Sequence, residues 1–185
     1  MSAVLVVILA LQLAAPSPQS PQSDPRDRRL IADFQGRVRA YAALRDRLAR
    51  GMPRPTDATQ TAEYERQLRQ KITAARRGAK VGDFFSTEIQ EVFKRLLTTS
   101  SADIMALQFA DDDAEPEESQ TSQPPEVEVN ERYPEGAPRP RVPVAVLLRL
   151  PSLPPDVQYR FIGRDLLLHD VRGDVVLDVM RNAAQ

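Results

Sequence analysis

Apolar positions recur along this chain in two different rhythms. In the first half, Leu30, Ile31, Phe34, Val38, Tyr41, Leu44 and Leu48 return every three or four positions. Arg37, Arg39, Arg45, Asp46 and Arg47 lie between them, and Gly51 and Pro53 end the pattern. This predicts an amphipathic helix over residues 27–49 with its arginines toward water. A second helix opens at Thr59 or Thr61, carries Glu63 and Glu65 in its first turns, and sets Tyr64, Leu68, Ile72 and Ala75 on one stripe before Gly78. So thin a stripe must lean on something else. Gly82, Asp83, Phe84 and Phe85 form a turn, Ser86 is the expected N-cap, and a third helix over 87–97 gathers Ile89, Val92, Phe93, Leu96 and Leu97 on one side. A fourth short helix over 102–109 presents Ile104, Met105, Leu107 and Phe109, which completes a small helical bundle.

The second rhythm has a period of two. Apolar runs at 157–162, 166–171 and 175–180 are separated only by Gly163-Arg164-Asp165 and Arg172-Gly173-Asp174. Each break holds a glycine able to take the positive φ of a tight hairpin, so the stretch predicts a three-stranded antiparallel β-meander. Pro151, Pro154 and Pro155 feed the chain in extended, and Pro143 opens a short helix over 144–149. Alternation puts Tyr159, Phe161, Leu166, Leu168, Val175, Leu177 and Val179 on one face, which should pack on the short helix or the bundle. Leu167, His169, Val171, Val176 and Met180 share the other face, partly apolar, and form the candidate interaction face for a partner. A sheet this small seldom stands alone. The expected fold class is α+β: a small amphipathic helical bundle and a C-terminal meander joined by an acidic, Pro-rich flexible linker.

Composition adds a compartment to this picture. Residues 3–11 are unbroken apolar but too short to span a bilayer, which takes about 20 residues. They read as the core of a cleaved signal peptide, with the cut between Ala15 and Ser20 and no stable membrane span afterwards. The expected organisation is a signal peptide over 1–20, a spacer over 21–26, the helical region over 27–109, the linker over 110–142, and the short helix with the meander over 143–185. The expected location is periplasmic or secreted. The chain has no cysteine, which excludes disulfides and a lipid-bearing thiol. A formal charge of −1 hides a segregation: residues 24–100 carry 17 basic and 10 acidic side chains, 101–135 carry 1 and 11, and 136–185 carry 7 and 5. This layout favours an acidic segment lying on its own basic helices, or a basic face that recruits an acidic partner.

The segments ITAARRGAKVGDFFSTEIQEVFKRLL (72–97) and RFIGRDLLLHDVRGDVVLDVM (160–180) resemble a family of hypothetical exported bacterial proteins. The resemblance covers most of the chain after the apolar run. It implies a signal peptide and a periplasmic or secreted location, and it carries over no catalytic residue. The Pro-rich lead-in and the meander also resemble the C-terminal portion of periplasmic nickel and cobalt homeostasis proteins.

Most site chemistries find too few residues here. His169 is the single histidine, and its neighbour Asp170 points to the opposite side of the strand, so the two cannot build a Ser-His-Asp triad. There is neither a Gly-x-Ser-x-Gly elbow nor a P-loop, and a zinc or nickel site would need several His or Cys ligands unless His169 is shared between subunits. The acidic run 111–118 lacks the alternating ligands and sixth-position glycine of an EF-hand and reads as a disordered, solvated connector. Arg172-Gly173-Asp174 matches an adhesion tripeptide but is also what a hairpin turn contains. The arginines of 26–77 alternate with acids, which argues against nucleic acid. The expectation is a non-enzymatic interaction or assembly module without a cofactor, bound to an envelope protein or to itself. A small-ligand or metal-binding protein is the alternative, and a carboxylate-based hydrolase is more distant.

Overall fold

The computed structural model describes residues 24–98, 126–136 and 142–183. The expected signal peptide, the helix over 102–109 and the acidic run 111–123 lie outside the described residues. Helices α1 (Pro25–Ala49), α2 (Ala58–Ala75), α3 (Thr87–Thr98) and the short α4 (Val144–Leu147) precede strands β1 (Val157–Ile162), β2 (Asp165–Asp170) and β3 (Val175–Met180). The strands form one antiparallel sheet in the order β1-β2-β3, so the fold is α+β.

Local chemistry sets the helix starts. Asp24 caps α1 by accepting from the Arg26 N–H at 2.7 Å, with Pro25 at the first helical position, where a missing N–H costs nothing. The α2 cap is Asp57 rather than Thr59 or Thr61. Its Oδ1 accepts from the Gln60 N–H at 2.8 Å while Gln60 Nε2 donates back to Oδ2 at 2.8 Å.

The helices and the meander share one core. Phe34, Val38 and Tyr41 of α1, Leu68 and Ile72 of α2, Phe84 and Phe85 of the turn, and the α3 stripe meet Tyr159, Phe161, Leu166, Leu168, Val175, Leu177 and Met180 of the sheet. Its centre is aromatic: Phe93 sits edge-on to Phe34 at 5.2 Å, to Phe85 at 5.4 Å and to Tyr159 at 5.9 Å. The thin face of α2 is supplemented by arginines. Arg69 donates to the Gly173 carbonyl at 3.3 Å and Arg76 to the Leu177 carbonyl at 3.1 Å. The Arg76 guanidinium also covers the rings of Tyr41 and Phe84.

Two sequence expectations about the meander are corrected. Leu168 pairs with Asp178 but His169 pairs with Val176, so Leu177 is an extra residue in β3. The bulge shifts the alternation by one beyond that point. Val179 therefore joins the second face and Met180 turns into the helix-facing core, the reverse of the simple period-two reading. In the second hairpin the positive φ belongs to Asp174 (49°) and not to Gly173. At Gly173 the backbone runs close to α2: a Cβ there would stand 2.7 Å from Ile72 Cδ1 and push that methyl aside.

Asp178, fully buried, fastens the Gly-Asp-Phe-Phe turn to the sheet. Its carboxylate accepts from the N–H groups of Gly82 at 2.9 Å and of Phe84 and Phe85 at 2.7 Å each, and from Val179 at 2.8 Å. Burial pushes its pKa up, and these donors hold the rise back.

Candidate functional site

The second face of the sheet is closed by the chain itself. Val127 and Tyr133 pack on Ile162, Leu167, Val176 and Val179, with Val129 beside them. The Asn130 N–H donates to the Val176 carbonyl at 2.8 Å, the Val176 N–H donates to the Glu131 carbonyl at 2.8 Å, and Arg132 bridges to Val175. One strap thus covers both a face and the outer edge of β3. Of the candidate interaction residues, Leu167 and Val176 are buried under this strap, Met180 is buried on the opposite side, and His169 is 5% exposed. Only Val171, just past β2, retains exposure at 36%. The expectation that this face meets another protein is therefore corrected. In sequence the segment 126–133 falls within the Pro-rich linker over 110–142, and periodicity cannot say that it packs on the chain's own sheet.

His169 lies tilted against Tyr133, with ring centres 5.1 Å apart, and its Nε2 lies 3.2 Å from Asp174 Oδ1. Asp174 also accepts from Arg132 Nε at 2.7 Å and lies 3.5 Å from Arg69. Burial works to raise the Asp174 pKa, but the hydrogen bonds from His169 and Arg132 outweigh it and hold the carboxyl at about 2. A depressed carboxylate stabilises the fold above its unfolded pKa, and the contribution disappears as pH falls through the folded value. The stability advantage of the wild type over Asp174→Asn should shrink by about 2 kcal/mol between pH 6 and pH 2, read by urea unfolding across that range. A constant difference would show that the carboxylate is not held this way.

On the helix side, Asp170 is fully buried and accepts from the Tyr41 hydroxyl at 2.6 Å, Arg45 Nη1 at 3.3 Å and the Gly173 N–H at 2.9 Å. His169 and Asp170 face opposite sides, as the strand alternation required. Burial and the Asp170 charge push the Tyr41 phenol far above its usual range. Burial opposes the Arg45 charge, yet Asp170, Asp46 and Asp156 raise its pKa overall. Arg45 was expected to face water and is 2% exposed. It lies four residues beyond Tyr41, so it continues the stripe of Phe34, Val38 and Tyr41, and this spacing was the available signal. The adhesion-like tripeptide is tied into the fold at both ends: Arg172 donates to the Tyr64 hydroxyl at 2.7 Å and to Asp46 at 3.2 Å, while Asp174 is buried.

Among the described residues the sheet keeps one edge without such a strap. The Val171 N–H donates to the Asp156 carbonyl at 2.8 Å, which makes residues 156 and 171 a hydrogen-bonded position. Antiparallel alternation from there gives Gln158/His169 and Arg160/Leu167 the next bonds to β2. The backbone groups of Tyr159 and Phe161 then point away from β2, and among the described residues none bonds to them. Alongside runs a groove of about 630 Å³ lined by Val142, Val144, Leu147, Leu153, Val157 and Tyr159, with Gln158 and Arg160 at its polar side. Helix α4 presents Val144 (71% exposed), Leu147 (43%) and Leu148 (79%) to solvent while Val146 anchors it in the core. The Pro-rich lead-in holds this arrangement: Tyr159 donates its hydroxyl to the Pro151 carbonyl at 2.9 Å and Gln35 donates to the Ser152 carbonyl at 3.0 Å. A second, polar hollow of about 510 Å³ lies at the α1–α2 loop between Arg50, Arg54, Tyr64 and Arg172.

No protein-family model, no curated protein and no solved structure matches this chain. Among the described residues no helix is long and apolar enough to cross a membrane, and no group of three or more His, Asp or Glu side chains is placed to hold a metal ion.

Proposed function

We propose that this protein is a non-enzymatic interaction module of the bacterial cell envelope that takes an extended segment of another chain along β1 and into the groove beside it. The unstrapped edge of β1 carries this reading. Backbone donors and acceptors at Tyr159 and Phe161 repeat every second residue, a spacing that another extended chain matches, and the flanking apolar groove supplies pockets for alternate side chains. The export part of the proposal rests on the N-terminal apolar run and the absence of cysteine.

Peptides selected on the immobilised full chain from a displayed random library should slow amide exchange at Tyr159 and Phe161. They should also bind Leu147→Asp about tenfold more weakly, because Leu147 lines the groove while nearly half exposed. Selected peptides that protect other segments, or that ignore the substitution, would overturn the reading, as would a library that yields none on a chain whose β1 edge is not already paired with another copy.

A further inference from the structure

Resting on that reading of the β1 edge, we infer that its partner is a second copy of this chain, paired antiparallel strand to strand about a two-fold axis at Tyr159. The edge is self-complementary in this register. Its outward backbone groups belong to residues 157, 159 and 161, a set symmetric about Tyr159, so Tyr159 bonds to its own counterpart and Val157 to Phe161 of the copy. The Val157 N–H is turned in to the Pro154 carbonyl at 3.3 Å, which leaves its carbonyl for the copy.

Side chains narrow the choice of register. Arg160 is the one charged residue of β1, and moving the axis to residue 160 would set it against its own counterpart, a register that like charge disfavours. In the Tyr159-centred register it faces Gln158 of the copy instead. That contact reproduces across the axis a bond already made within the strand, where Arg160 donates to Gln158 Oε1 at 2.8 Å. The two three-stranded sheets would join into one of about six strands, with the exposed Val144, Leu147 and Leu148 flanking the seam. The other edge of the sheet cannot do this, since residues 130–132 occupy it.

The absence of cysteine gives a clean test of the register. Residues 158 and 160 of opposing copies form a non-hydrogen-bonded pair about 4.5 Å apart at Cα, within disulfide reach, whereas 158 and 158 of the two copies are offset by two positions and lie outside it. Full chain carrying Gln158→Cys mixed with full chain carrying Arg160→Cys should give an oxidised dimer, and either alone should give about tenfold less. Light scattering on the wild-type chain should show a concentration-dependent doubling of mass. Gln158→Arg, which sets like charges opposite twice per dimer, should weaken the dimer about tenfold and Gln158→Glu should tighten it.

A chain that stays monomeric at every concentration, or cysteines that link equally well alone and mixed, would overturn the inference. If the monomeric chain nevertheless protects the Tyr159 and Phe161 amides with a selected peptide, the edge is a docking site for a different protein and only the identity of the partner is wrong. If neither dimer nor peptide protection is seen, the functional reading falls with it.

Discussion

Tyr133→Ala should lower the unfolding free energy by about 3–5 kcal/mol, the range for deleting a fully buried aromatic ring. The ring is 1% exposed, packs on Leu167, Val176 and Val179, and meets His169 at a tilt. Its loss removes the largest side chain that holds the strap on the sheet, and the ties that remain include the two backbone bonds to Val176, the Arg132–Asp174 pair, the Asn130 amide on the Thr73 and Arg76 carbonyls, Arg181 on the Val127 carbonyl, and Val127 itself. Small domains are stable by only about 5–15 kcal/mol, so the effect should be plain in guanidinium unfolding at pH 7. Amide exchange in the same variant should rise first at Val176, whose N–H is bonded to the Glu131 carbonyl. A loss under about 1 kcal/mol would mean that the strap contributes little and that the second face of the sheet is in effect open. That outcome would restore Leu167, His169 and Val176 as candidates for an interaction face.

Asp170→Ala should be equally costly, about 3–5 kcal/mol, because it strands a buried charge. Arg45 would remain 2% exposed with the Pro155 carbonyl at 3.2 Å and two carboxylates, Asp46 at 3.1 Å and Asp156 at 3.7 Å, both of them about half exposed and so weak compensation for a buried charge. The Tyr41 hydroxyl and the Gly173 N–H would lose their acceptor in the same step. A second variant separates lost attraction from stranded charge. In Arg45→Met with Asp170→Ala no guanidinium is left unpaired, so the double variant should unfold at a higher denaturant concentration than Asp170→Ala alone. If the double variant is the less stable of the two, Arg45 acts through packing of its stem and not through its charge.

These two substitutions fall where sequence and tertiary structure part company. Periodicity placed the helical stripes of Phe34, Val38 and Tyr41 and of Ile89, Val92 and Phe93, because a 3.6-residue rhythm is a property of neighbours along the chain. It placed the three strands and both hairpins for the same reason, with glycine between short β-branched and aromatic runs. It also placed His169 and Asp170 on opposite sides of β2, which rules out a triad built from that pair. What rhythm could not supply was the identity of the surface each stripe meets. Arg45 is interior because Asp170, 125 residues away, is there to receive it. The bulge at Leu177 moved Met180 and Val179 to opposite faces, since one extra residue in β3 is a matter of pairing with β2 and leaves no trace in β3 alone. The second face of the sheet looked vacant in sequence and is filled by Val127 and Tyr133, some 40 residues earlier in the chain. The candidate site followed from that displacement. With β3 strapped and its face covered, the edge of β1 is the one left without a strap among the described residues, and which edge a sheet keeps free is decided only when the whole chain has folded around it.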